Sequence, residues 1–339
     1  MSRMENIPTV SVVMPTHNRG HIVGRAIQSV LDQTYRDFEF IIVNDGSRDN
    51  TEEVVKKFKD ERIRYIRLEK NSGTCAVPRN TGIRIARGKY IAHQDDDTLW
   101  HSEKLEKQVR VFDTAPPEIG IVYTGFVVLT DSKTFYLPPR HISLREGSIY
   151  GQVIRNEGFS TNPNVLTRKE CFEQVGLFDE RLPSSLDWDM WIRITKRYQV
   201  RLIDEPLATT YYSPDTSHFT KIASVKARLA VLNKHFDDFM ETNKELLAKG
   251  YFELGLNLYL EGHHEGRGYP WRAFRIFPRM RYGLGSVAIL LGLSVPYNHA
   301  LVSWDAQFVR LEPLIGRLRP VLGWAYPFLS KFSQIFFLR

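Results

Sequence analysis

The first hundred residues alternate β-branched apolar runs with stretches of helical spacing, and few folds satisfy that pattern. Thr9 to Met14, halted by Pro15, reads as a first buried strand. Ile22, Val23, Ala26, Ile27, Val30 and Leu31 then fall on one helical face, with Asn18 as a candidate cap. Phe38–Val43 and Ile63–Leu68 read as the second and third strands, separated by a polar helix near Thr51–Phe58. A helix over Ala76–Ala86 leads to a fourth short strand, Lys89–His93. Strand and helix in strict alternation imply right-handed βαβ units, an α/β fold and a mostly parallel central sheet.

Ligands of such sheets sit beyond the carboxyl ends of the strands. Thr16, Asn18, Asp45 and the triplet Asp95, Asp96 and Asp97 all lie just past a predicted strand end. Separate pieces of sequence are therefore expected at one edge. A charge run is ordinarily a solvated turn, but three adjacent like charges repel unless a cation or solvent screens them. In extended backbone Asp95 and Asp97 share a face and Asp96 takes the other. Two carboxylates on one face suit a hard divalent cation, Mg²⁺ or Mn²⁺, that draws the rest of its shell from phosphate and water. No GxGxxG follows the first strand and no GxxxxGK[ST] occurs, so neither a dinucleotide nor a P-loop site is supported. An acidic residue for base or ribose beside a metal for a diphosphate describes a nucleotide-diphosphate site.

In chain order, VSVVMPTHNR, FEFIIVNDGSRDNT, NSG, PRNTGIRIARGKYI, DDDTLW, VGLFDERL and LDWDMWIRI resemble the family-2 glycosyltransferases of the GT-A fold, over roughly residues 8–220. Each motif alone is weak; the ordered set is specific. The resemblance implies a nucleotide-diphosphate-sugar donor, a UDP-sugar by default, and inverting transfer to an acceptor hydroxyl. It implies that Asp45 contacts the nucleobase and that Thr16, Asn18 and Arg19 form the first nucleotide-contacting loop. Asp95 and Asp97 match the ends of the DxD motif, Asp97 as the principal metal ligand, and Asp96 is implied to reach ribose or sugar. Asp187 stands at the position of the catalytic base and Asp189 at a structural aspartate. Two positions depart from the pattern. Asn44 replaces a second aspartate, and Leu186 replaces the glutamate that normally precedes the base. His218 lies in a loop where relatives often place a histidine or serine near the diphosphate, which makes it a candidate third metal ligand.

Leu105, Val109 and Phe112 mark an amphipathic helix, Ile119–Leu129 one or two strands, and residues 131–164 acceptor-side loops. Val200–Ile203 and Leu207–Tyr212 read as closing strands. The expected organisation is a catalytic domain over 8–220, a helical extension over 221–262 and a basic, aromatic region over 263–339. From His264 to Arg339 there are ten Lys or Arg and three Asp or Glu, which accounts for the whole net charge of +7. The apolar run Gly283–Val295 is shorter than the ~20 residues a span needs. Basic and aromatic residues too short to span fit an in-plane contact with an anionic membrane surface. A glycan or lipid-linked acceptor at the cytoplasmic face of the membrane is the matching expectation, and no nucleic-acid-binding fold is evident.

Two cysteines, Cys75 and Cys171, supply neither a disulfide framework nor a zinc site. The amino-terminal stretch has no long apolar run, so a signal peptide is not expected. Two rival readings remain. A nucleotidyltransferase would carry a basic glycine-rich loop where Pro15-Thr16-His17-Asn18 stands, and a non-catalytic membrane-surface adaptor has no need of Asp95, Asp97 and Asp187.

Overall fold

Val10–Thr16 (β1) and Phe38–Asn44 (β2) bury all seven of their residues. Strands so apolar on both sides require a sheet covered on both faces. A computed structural model of the chain describes residues 7–286 except 140, 143–144, 157–161, 212–220, 280–281 and 284–285. His218 and all of the chain after 286 lie outside the described residues. β2 pairs in parallel with β1 and with Ile63–Arg67 (β3), and β1 pairs in parallel with Tyr90–His93 (β4). The strand order 3-2-1-4 places β1 at the centre.

Alternation along β1 sorts the two cores. Val10, Val12 and Met14 join Val23, Ala26, Ile27 and Val30 of the helix Val23–Leu31 (α1) on one face. Val13 joins Ala76 and Ile83 of the helix Ala76–Ile85 (α3) on the other. Each fully buried Val or Ile contributes about 1.5–3 kcal/mol, so these faces hold the sheet between its helices. Gly82 lets α3 close onto β1, because a Cβ there would lie 2.4 Å from Val13 Cγ1. The helix Thr51–Lys56 (α2) connects β2 to β3.

Beyond β4 the sheet changes character. Thr98–Trp100 (β5), Ile119–Leu129 (β6), Thr134–Leu137 (β7), Val165–Arg168 (β8) and Gln199–Tyr211 (β9) extend it in the order 4-8-6-9-5, with β7 on the free part of β6. Here only β6 and β9 run parallel; β4 with β8, β6 with β8, β6 with β7 and β5 with β9 are antiparallel. The sheet is thus parallel in its first half and mixed in its second. Pro15 does not end β1, which continues to Thr16 opposite Asn44.

The helix Lys104–Thr114 (α4) covers one face of the second half through Leu105, Val109 and Phe112. Tyr150–Ile154 (α5), Lys169–Val175 (α6) and Leu186–Thr195 (α7) cover the other. That second core continues without a break into Lys221–Lys234 (α8), Phe236–Thr242 (α9) and Lys244–Leu260 (α10), through Leu229, Leu232, Phe239, Leu247 and Tyr251. Tyr269–Ile276 (α11) packs Pro270 and Ala273 inward and leaves Trp271 52% exposed. Among the described residues no helix is long and apolar enough to cross a membrane.

Candidate functional site

β1, β2 and β4 run parallel, so the loops after Thr16, Asn44 and His93 emerge at one edge. Those loops are tied together. The Asp45 amide donates to the Thr16 carbonyl at 2.9 Å, and the Gln94 amide to the Val13 carbonyl at 2.9 Å. The turn Asn44-Asp45-Gly46-Ser47 is closed by the Ser47 amide on Asn44 Oδ1 at 2.8 Å. Gly46 sits at φ +65°, which a glycine adopts without strain, and a Cβ there would meet Lys70 backbone at 2.5 Å.

Asp45 is only 5% exposed, and Ser72 fixes it with an amide at 3.0 Å and a hydroxyl at 2.9 Å, one on each carboxylate oxygen. Asp45 lines a cavity of about 570 Å³ together with Thr16, Arg19, Arg79, Asp95, Asp96 and Asp97. The volume is that of a small-molecule site. Arg19, Asp96 and Asp97 also face a neighbouring cavity of about 430 Å³.

The three aspartates do not alternate across a strand. β4 ends at His93, and Asp95 to Thr98 form a tight turn in which the Thr98 amide donates to the Asp95 carbonyl at 3.2 Å. Gln94 reinforces the turn by donating its side-chain amide to the Thr98 carbonyl at 2.7 Å. The turn sends Asp96 and Asp97 toward both cavities and Asp95 toward Arg79. All three carboxylates therefore crowd one space. Burial pushes Asp96 up to about 7; the Thr16 hydroxyl beside it lowers it, and Asp97 and Asp95 raise it. Asp97 is likewise raised, by burial first and then by Asp95. Arg19 lies 3.7 Å from Asp96 and offsets part of this repulsion. Thr16 Oγ1, though buried next to Asp96, has no partner of good hydrogen-bond geometry among the described residues.

Among the described residues no group of three or more His, Cys, Asp or Glu forms a metal cage. The turn offers instead a few hard oxygen ligands in excess of the nearby positive charge. That donor set fits a divalent cation that completes its shell with phosphate and water, and a cation would relieve the mutual repulsion of its carboxylates.

Asp187 lies in the first turn of α7, half-buried, with Trp188 N–H on its carboxylate at 2.8 Å. It does not line the 570 Å³ cavity, but the charges of Arg79 and Asp95 both act on it. Burial is the main cause that raises its carboxyl above the ordinary range, and Arg79 lowers it. Asp189, two residues on, is wholly buried. Burial pushes it up, yet hydrogen bonds and charge from His235, Arg193 and Lys234 outweigh that and hold it down at about 2.

One expectation needs correction. Asn18 does not cap α1, whose N-cap is Ile22 without a side-chain bond. Its Oδ1 accepts the Arg48 amide at 2.8 Å, its own amide donates to Ser47 Oγ at 2.9 Å, and it does not line the cavity. At φ +53° Asn18 locks the first loop to the second. Arg79 is the residue that sequence reasoning passed over. It is 5% exposed, pairs with Asp95 and feels Asp187. Its signal is the PRN that opens PRNTGIRIARGKYI, but a lone arginine on a helix gives no hint of its partners.

The glycosyl transferase family 2 profile matches residues 11–176. An uncharacterized glycosyltransferase of Methanocaldococcus jannaschii, MJ1057, is 32% identical over 205 residues, 58% of this chain and 69% of that protein. An Escherichia coli UDP-Glc:alpha-D-GlcNAc-diphosphoundecaprenol beta-1,3-glucosyltransferase, WfgD, is 28% identical over 72% of this chain and 90% of its own. Against an uncharacterized glycosyltransferase of Rickettsia felis, 30% identical, the match spans only 32% of the relative's length. Among solved structures, S. aureus TarS 1-349 in complex with UDP-GlcNAc superposes with a TM-score of 0.59 at 15% identity, over 89% of this chain and 97% of that one. The mannosyltransferase PcManGT of Pyrobaculum calidifontis, in complex with GDP-Man and Mn²⁺, gives 0.53 at 18% identity over 88% of each chain. At such identities the likeness is one of fold, and that fold is GT-A.

Proposed function

This chain belongs to glycosyltransferase family 2, and from that premise we propose that it transfers a sugar from a nucleotide-diphosphate sugar to an acceptor hydroxyl with inversion. The observation that carries the reading is the convergence of Asp45, Asp95, Asp96 and Asp97 on one cavity, with Arg79 pairing with Asp95 and acting electrostatically on Asp187.

In this reading Asp45, held by Ser72, accepts from the nucleobase, while Thr16 and Arg19 flank the nucleotide. Asp97 and Asp95 hold a divalent cation, Mg²⁺ or Mn²⁺, which when bound stabilises the charge of the departing nucleoside diphosphate. Asp96 accepts from ribose or sugar hydroxyls. Asp187 takes the proton of the attacking hydroxyl, and its raised carboxyl makes it a better acceptor than an ordinary aspartate. Asp189 is unsuited to that role, since its carboxylate is saturated by Arg193, Lys234 and His235. Arg79 pairs with Asp95 and lowers the Asp187 carboxyl against the effect of its burial.

A UDP-sugar is the donor we favour, in keeping with the UDP-GlcNAc complex of TarS and the UDP-Glc of WfgD. The diphosphoundecaprenol acceptor in the name of WfgD supports a lipid-linked glycan acceptor. The basic surplus after His264 and the exposed Trp271 on α11, flanked by exposed Arg267, Arg272 and Arg275, support contact with an anionic membrane at its cytoplasmic face.

Release of nucleoside diphosphate from a panel of UDP-, GDP- and dTDP-sugars tests the proposal. Turnover of one donor that is abolished by EDTA and by Asp97→Ala supports it. Full turnover in EDTA removes the metal role; no nucleoside diphosphate from the panel, but pyrophosphate released from a nucleoside triphosphate with a sugar 1-phosphate, favours a nucleotidyltransferase.

A further inference from the structure

We propose that Lys234 and His235, at the end of α8, position Asp187 by gripping Asp189, which makes the helical segment after the sheet part of the working site. The inference rests on Asp187 being the base.

Helix α7 begins without the usual anchor. Its N-cap, Ser185, sits at φ +57° and makes no side-chain cap bond, so the turn that carries Asp187 is not held from its own sequence. Asp187 and Asp189 are two residues apart, about 200° around the helix at 3.6 residues per turn. They therefore face opposite ways, and whatever fixes Asp189 aims Asp187.

Asp189 is 0% exposed and fully used. Arg193 donates to Oδ2 from Nε at 3.1 Å and Nη2 at 2.9 Å. Arg193 belongs to α7 itself and ties that helix to the Val175, Gly176 and Leu177 carbonyls. Lys234 and His235 add the link from Asp189 to the end of α8. Lys234 Nζ donates to Asp189 Oδ2 at 3.0 Å and to Asp179 Oδ2 at 2.9 Å, and so joins three segments at one ammonium. His235 Nε2 lies 2.9 Å from Asp189 Oδ1; an ionised carboxylate only accepts, so that nitrogen carries the hydrogen. Between the two aspartates Trp188 anchors the same turn, its indole N–H on the Val153 carbonyl at 2.8 Å and its ring edge-to-face with Phe239 of α9 at 5.6 Å. A small displacement of a catalytic group from remote loss of support costs on the order of 100-fold in rate.

The test uses the full chain with Lys234→Met and His235→Leu, which remove the donors, and Lys234→Arg and His235→Gln, which keep an N–H for Asp189. Amide hydrogen exchange at Trp188 to Met190 and steady-state release of nucleoside diphosphate from the active donor are read for each. The removing variants are expected to lose protection in the first turn of α7 and to lower kcat about 10- to 100-fold with donor KM unchanged, because neither residue lines the donor cavity. The conservative variants recover most of kcat. Unchanged kcat overturns the proposal, and so does a joint change of kcat and KM that the conservative variants do not rescue. If Lys234→Met does not fold, the His235 pair carries the same comparison. If wild type turns over no donor, the proposed function fails and exchange alone decides. The first turn of α7 must then loosen while β1 and β4 stay protected, and equal protection overturns the clamp.

Discussion

Replacing Arg79 by Met keeps most of the volume on α3 and removes a guanidinium that acts on both Asp95 and Asp187. The Arg79 side chain is 6% exposed and that of Asp95 30%. A close pair at an effective dielectric near 20 gains about 4 kcal/mol, and the desolvation of two ions takes back part of it. Asp95 stays open enough for water to reach it, so the net coupling is expected at about 1–3 kcal/mol, below the cost of stranding a fully buried charge. A double-mutant cycle with Arg79→Met and Asp95→Asn, followed by urea unfolding, measures it directly. The catalytic consequence has a definite sign. Arg79 lowers the Asp187 carboxyl, so its loss raises that carboxyl further and moves the acidic limb of kcat to higher pH. Additive stability changes together with an unmoved acidic limb would refute the reasoning, since both effects come from the same charge.

Asp187→Asn keeps shape and removes the proton acceptor, and kcat is expected to fall about 10²–10⁴-fold with nearly unchanged donor binding by calorimetry. Asp189 follows the depressed-carboxyl rule: its ordinary value is 3.8 and its folded value about 2, so its stabilisation is complete above about pH 4 and lost as pH falls toward 2. That is about 2 kcal/mol, and Asp189→Asn should therefore flatten the acid limb of unfolding free energy measured between pH 4 and pH 2. The full chain should co-sediment with anionic liposomes at low salt and release as salt rises, and Trp271→Ala should weaken this without altering the melting midpoint, since Trp271 is half-exposed. Equal sedimentation with neutral liposomes in high salt removes the electrostatic part of that account.

The βαβ half of the fold is readable from sequence because its strands are buried on both faces and its helices on one, which writes two distinct periods into the chain. The edge that gathers Thr16, Asp45 and Asp95 follows from parallel strand direction alone. The conformation of the aspartate triplet does not. Period-two reasoning presumes extended backbone, and the strand stops at His93, two residues earlier, where Gln94 begins to bond across the turn to Thr98. Asn18 misled for a related reason. Its residue type suits both a helix cap and a left-handed loop position, and the partner that decides between them, the Arg48 amide, is thirty residues away. Sequence separation also hides Arg79, whose two carboxylates come from β4's turn and from α7, and Lys234, whose link to Asp189 spans forty-five residues. Local patterns report which face is buried; they are silent on which charges meet.

Calorimetric titration of wild type and Asp45→Ala with UDP, GDP and dTDP, each with and without Mn²⁺, tests the central claim most directly. One nucleotide should bind wild type, more tightly with the metal than without, and Asp45→Ala should lose that preference for one base while retaining a metal-dependent diphosphate contact at Asp95 and Asp97. Binding of no nucleotide, or equal binding of all three by both proteins with no response to metal, contradicts the assignment of this cavity to a nucleotide-diphosphate sugar.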